Sequence, residues 1–196
     1  MKGILIAIEG IDGAGNTTQA KLLAAWLRSK GLKVVLTKEP THGPVGKLIR
    51  KRLRQGAASA YVDALLFAAD RAEHVVKVIV PSLQESAIVI TDRYVESSIA
   101  YQGAQGASEQ WIENINSFAP KPDLTVVLDL DPKVALSRKR RVREVFERED
   151  FLSRVREIFR RRALERGYAL VDASPKKSLV QRNIRELVKP LLEARV

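Results

Sequence analysis

Glu9 to Gln19 reads EGIDGAGNTTQ. The stretch closes the strand-like apolar run GILIAIE at residues 3–9 and leads into a segment with helical spacing. Gly10-Ile11-Asp12-Gly13-Ala14-Gly15-Asn16-Thr17 matches the phosphate-binding pattern GxxxxGK[ST] at every defined position except the lysine, where Asn16 stands. The three glycines let the backbone turn several N–H groups toward one anion. The helix that follows adds its positive N-terminal end, and the Thr17 hydroxyl is placed to join a Mg²⁺ shell. Gly10, Ile11, Asp12, Gly13, Ala14, Gly15, Asn16, Thr17 and Thr18 are therefore the expected binding residues for a donor nucleotide. A lysine at position 16 would follow negative charge as a phosphoryl group moves, whereas asparagine is neutral and shorter. Losing one such donor costs about 10²–10³ in rate, while binding by backbone amides survives.

Working outward, four further short β-branched-rich runs lie at 33–37, 87–91, 124–130 and 168–172. None alternates cleanly, as expected for strands buried on both faces of a parallel sheet. Helix-period segments separate them. Leu22, Leu23, Trp26 and Leu27 form one apolar stripe, closed by Gly31, and Val62, Leu65, Leu66 and Ala69 form another within a helix around 61–80. More helices are expected near 108–118, 150–166 and 177–194. This alternation predicts an α/β fold of three layers, with a five-stranded parallel sheet flanked by helices, as one domain over 1–196. Ligands in such folds bind at the carboxyl ends of the strands. The most densely charged segment, RKRRVREVFERED near 138–150, predicts a short basic lid.

Composition narrows the chemistry. The chain has 196 residues, 45% of them hydrophobic, enough for one well-cored domain. Cysteine is absent, which removes disulfides, thiolate metal sites and a cysteine nucleophile. No apolar run is long enough to span a bilayer, and the N-terminal run is too short for a secretion signal, so the expectation is a cytoplasmic protein with no membrane partner. The formal charge of +11 suits anionic partners.

The ends of the other strands supply more candidates. Thr91-Asp92-Arg93-Tyr94 closes the third, with Ser97, Ser98, Tyr101 and Gln102 shortly after. A carboxylate beside a phosphate loop can hold Mg²⁺, and an adjacent arginine can clamp a second phosphate in a bidentate way. Phe67 and Arg71 lie four apart on one helix face, a stacking surface next to a forked donor, although Phe67 alone reads as core.

EGIDGAG.TTQ, KEPTHGPVGKLIR, LLFAADRAEHV, TDRYVESSIAYQG, PDLTVVLDLDP and the late VDAS together resemble the thymidylate kinase family over almost the whole chain. Their order and spacing are far more specific than the phosphate loop alone. The resemblance implies transfer of the ATP γ-phosphoryl group to dTMP, with Mg²⁺, in the synthesis of dTTP. It implies that Asp12 bonds the sugar 3′-OH, Phe67 stacks on thymine, Arg71 donates to its O4, and Arg50 and Arg93 clamp the acceptor phosphate. Ser98 and Gln102 would line the thymine pocket, with Tyr101 crowding the 2′ position. Asp92 and Thr17 would serve the metal, and Glu39, in the vicinity of Asp92, would be a further acceptor-site residue. Gly13 after Asp12 resembles the members that supply a catalytic arginine from the lid, for which Arg141, Arg143 and Arg148 are the candidates. A homodimer packed through helices is implied as well.

Three rivals remain open on the residues alone. The basic runs at 50–54, 138–143 and 160–166 suit a nucleic-acid binder, but they lack the interleaved aromatics that stack on bases, so no nucleic-acid partner is expected. Asn16 suits a catalytically impaired nucleotide-binding protein of the same fold. A kinase for another pyrimidine deoxynucleotide is a third reading, open to a test of acceptors.

Overall fold

A computed structural model describes residues 3–56, 59–138 and 148–194. Five strands, β1 (Ile4–Gly10), β2 (Val34–Lys38), β3 (Ile88–Asp92), β4 (Leu124–Asp129) and β5 (Ala169–Asp172), form one sheet in the order β2-β3-β1-β4-β5. Every pairing is parallel. β1 and β3 are buried along their whole lengths. Ile4, Ile6 and Ile8 of β1 enter the main core with Leu23 and Leu27, while Leu5 and Ala7 pack on the opposite face with Val75, Ile79 and Val89. Covered faces explain the unbroken apolar runs, since each neighbour in a strand faces a different packed layer.

Helix α1 (Asn16–Ser29) follows the phosphate loop directly and buries Leu23 and Leu27. The expected helix around 61–80 is one continuous rod in three pieces, α3 (Ala60–His74), a π-helical turn (Val75–Ile79) and α4 (Val80–Gln84). Its apolar stripe points the other way from a core stripe: Val62 is 43% and Leu65 52% exposed, whereas Asp63, Ala64, Ala68, Asp70, Arg71 and His74 are buried. Polar groups face inward here because each finds a partner, as Asp70 does in accepting from the backbone N–H and hydroxyl of Thr41.

Helices α6 (Glu109–Ile115), α8 (Glu149–Arg166) and α9 (Lys177–Glu193) lie where periodicity predicts. Three helices were not legible: α2 (Pro44–Gln55), α5 (Val95–Ala104) and α7 (Pro132–Ser137). In α5 every residue from Glu96 to Gln102 is buried, so no stripe could form. The expected lid meets α8, which begins at Glu149, and residues 139–147 with Arg141 and Arg143 lie outside the described residues.

Candidate active site

The carboxyl ends of β1, β2 and β3 meet at one place. At the end of β1, Gly10 (φ 143°) and Gly13 (φ 89°) adopt backbone angles that side chains rarely take. A Cβ on Gly13 would sit 2.5 Å from the Ala135 carbonyl oxygen, and one on Gly10 would sit 2.7 Å from that of Leu128. Only glycine fits both turns. Asn16 is buried, and its Nδ2 donates to the Gly10 carbonyl at 3.0 Å, bracing the loop from inside. Its Oδ1 has no partner among the described residues. The Thr17 hydroxyl donates to Asp92, which joins the two expected metal residues across the elements that carry them. A cleft of about 520 Å³ runs along the loop from Asp12 to Gln19 and is bounded by Lys38, Asp92, Arg93, Arg138 and Pro175.

A second, smaller pocket of about 210 Å³ adjoins it, and Asp12, Lys38 and Arg93 line both. Its wall contains eight of the nine residues that the resemblance assigned to the acceptor: Asp12, Glu39, Arg50, Phe67, Arg93, Ser98, Tyr101 and Gln102. Arg93 is held with φ 74°, a strained angle for a side-chain-bearing residue, and its backbone N–H is tied to the Ile8 carbonyl at 3.0 Å. Its guanidinium pairs with Asp12 at 2.5 Å, donates to the Ser97 hydroxyl and the Gly10 carbonyl at 3.0 Å, and lies 5.1 Å from the Tyr101 ring centroid. Burial alone would lower its pKa, but the surrounding groups, Tyr101, Asp12 and Asp92 foremost, outweigh this and raise it. Burial pushes the Tyr101 hydroxyl up, so it stays protonated. The result is a preformed cationic fork between the two cavities. Arg50 is fixed by a bond from its Nη1 to the Pro40 carbonyl at 2.9 Å.

The ninth acceptor residue lies behind the wall. Arg71 is not in the pocket wall; it is 1% exposed and bonds Glu39, Asn116, Ser98 and the Tyr94 carbonyl. Its fork is engaged by the protein, so it braces the pocket from behind through Ser98. Glu39 is not available to a metal, because its two oxygens are taken by Arg71 at 2.7 Å and His74 Nδ1 at 3.0 Å. A buried guanidinium demands that compensation. His74 also meets Thr37 at 2.7 Å and is a core connector. Phe67 is half-buried, packing on the main core while lining the pocket, and so serves both readings.

Arg148 caps the start of α8 and pairs with Asp150 at 3.3 Å on an exposed surface. It contributes to neither cavity wall. Arg138 donates to the Ala173 carbonyl at 3.2 Å and lines the nucleotide cleft together with Ala173 and Pro175, so the turn after β5 reaches this site. Glu9, Ser97 and Lys38 went unassigned in the sequence reading. The Glu9 carboxylate accepts from Tyr94 N–H at 2.9 Å and from the Ser97 hydroxyl, which in turn receives Arg93. Lys38 was legible by its place at the end of a strand, the rule that found Asp92.

The Thr17 hydroxyl and Asp92 carboxylate are a hard-oxygen pair of the type that would hold Mg²⁺, which would offset phosphate charge there. No cluster of three metal-binding side chains occurs among the described residues.

A glycine loop between a buried parallel strand and a helix, with a hydroxyl–carboxylate pair beside it and a second anion-receptive pocket adjoining, defines the P-loop nucleotide-binding class of α/β proteins. The thymidylate kinase family model matches residues 8–184. A probable thymidylate kinase of Pyrobaculum aerophilum is 48% identical over 187 residues, spanning 94% of this chain and 95% of that one. Another from Pyrobaculum calidifontis is 52% identical over 173 residues (87% and 88% of the two chains), and one from Pyrococcus horikoshii is 54% identical over 144 residues, 70% of each. The chain belongs to the thymidylate kinase family.

Proposed function

We propose that this protein is an active thymidylate kinase, passing the γ-phosphoryl group of ATP to dTMP to give dTDP and ADP. The observation that carries the acceptor side is Gln102. Its Oε1 is buried without a hydrogen-bond partner among the described residues, in the wall of the pocket that holds Phe67 and Arg93. A buried acceptor left unpaired is costly, and an N–H donor such as thymine N3–H relieves it while Phe67 stacks on the ring. Arg93 and Arg50 receive the acceptor phosphate, and Asp12 receives the sugar hydroxyl. Tyr101, beside Asp12, favours a deoxyribose. The phosphate loop holds ATP, and Mg²⁺ at Thr17 and Asp92 offsets the phosphate charge when bound. Transfer then needs alignment rather than a protein nucleophile. Two chains pair through the exposed stripe of α3, and the protein works in the cytoplasm.

A binding-only protein is the second reading, favoured by the inward bond of Asn16. Measuring ADP release with ATP and Mg²⁺ against dTMP, dUMP and thymidine separates them. dTMP drives release, dUMP does so more weakly for want of the methyl group, and thymidine fails because it brings no phosphate to Arg93. Tight dTMP binding without ADP release would support the binding-only reading instead, and equal rates with thymidine would contradict the phosphate clamp.

A further inference from the structure

Asn16 leaves the phosphate loop without its cation, and the side-chain amide is turned back onto the Gly10 carbonyl. Three cavities open around the sheet edge: the nucleotide cleft, the acceptor pocket and a space of about 490 Å³ beside α1 and β2. Among the described residues, Lys38 alone lines all three. It ends β2 in register with Asp92 of β3, so the two side chains leave the sheet on the same side, and Asp92 in turn holds Thr17 of the loop. The Lys38 ammonium makes no ion pair or hydrogen bond among the described residues, and the residue is exposed. Its neighbours are committed otherwise. Arg93 is paired with Asp12, and Arg138 donates to backbone carbonyls. Lys177 borders only the nucleotide cleft.

We infer that Lys38 is a catalytic residue of this chain, supplying from the neighbouring strand the positive charge that Asn16 does not. The inference rests on the kinase reading and deepens it. In the transfer, the bond from the γ-phosphorus to the β,γ-bridging oxygen breaks and its electron pair leaves with ADP. A new bond forms from the γ-phosphorus to an oxygen of the acceptor phosphate, which attacks as the dianion, so no proton moves. Charge spreads over the three equatorial oxygens during the step. A flexible ammonium between donor cleft and acceptor pocket can follow that charge, where a fixed guanidinium bound to Asp12 cannot.

The test is a double-mutant cycle on dTDP formation with Lys38→Met and Asn16→Lys, singly and together, with thermal midpoints taken as a folding control. In the Asn16 protein, Lys38→Met lowers kcat about 10²–10³-fold with the KM for ATP and for dTMP changed less than about 3-fold. Lys38→Arg restores most of the rate. In the Asn16→Lys background, Lys38→Met costs less than about 10-fold, because one cation then covers for the other. Loss by the same factor in both backgrounds, or a kcat unmoved by Lys38→Met, overturns the inference. If the unaltered protein forms no dTDP, the kinase reading falls and the inference with it. Turnover that ignores Lys38→Met sinks the inference alone.

Discussion

Glu9, one residue before the loop, is wholly buried, yet it accepts hydrogen bonds from Tyr94, from the Ser97 backbone and from the Ser97 hydroxyl. Burial raises its pKa from 4.5 to about 7, opposed by the Ser97 hydrogen bond and Arg93, with Glu96 adding to the rise and Arg71 opposing it. The folded protein thus holds this proton more tightly than the unfolded chain does. The resulting stabilisation is complete below about pH 4.5 and is lost as pH rises through 7. A difference of this size corresponds to about 3 kcal/mol, or about 6–12 °C in thermal midpoint for a domain this long. Melting curves at pH 5 and pH 8 check it: the midpoint drops more in the unaltered protein than in Glu9→Gln, which has no proton to lose. Parallel drops would show that Glu9 does not titrate in this range. Of the site's residues, those belonging to a local pattern were legible: the loop, Asp92 and Arg93. The engagement of Arg71 and Glu39 within the protein was not legible, because their partners Asn116, Tyr94 and His74 are brought to them only by the packing of other elements.

At the scale of elements, the five strands were legible to within a residue at their ends because burial on both faces leaves so plain an apolar signal. Helix α2 was read only as a basic run, since KLIRKRLR offers few apolar positions beyond Ile49 and Leu53. Helix α3 carries the more instructive difference. Its apolar stripe was visible, but nothing in the stripe itself says whether core or partner will cover it. The interior took the face of Asp63, Asp70, Arg71 and His74, and Tyr61, Val62 and Leu65 were left outside. An exposed apolar helix face of this kind suits the proposed pairing of two chains. Leu65→Asp is therefore expected to halve the sedimentation mass, from two chains to one, while leaving the far-ultraviolet dichroism unchanged. A native mass already equal to one chain would refute pairing through α3.

At the scale of the whole molecule, the charge of +11 is unevenly committed. The run at 160–166, one of the three that suit a polyanion, is largely spent within the protein. Arg160 pairs with Asp129, Arg161 with Glu109, Arg162 with the buried Glu96, and Arg166 with Glu113. Around the sheet edge the cations instead line cavities of nucleotide size, with Arg50 and Arg93 on the acceptor side, Arg138 on the donor side and Lys38 between. Positive charge gathered in adjoining clefts draws small anions in and holds two of them close enough to react. The most direct measurement is a single turnover with enzyme in excess over γ-labelled ATP, with Mg²⁺ and saturating dTMP. The label is expected to pass to dTDP, and to remain on ATP when dTMP is left out. Label that stays on ATP with dTMP bound, or that emerges as inorganic phosphate instead of dTDP, would contradict phosphoryl transfer between these two sites.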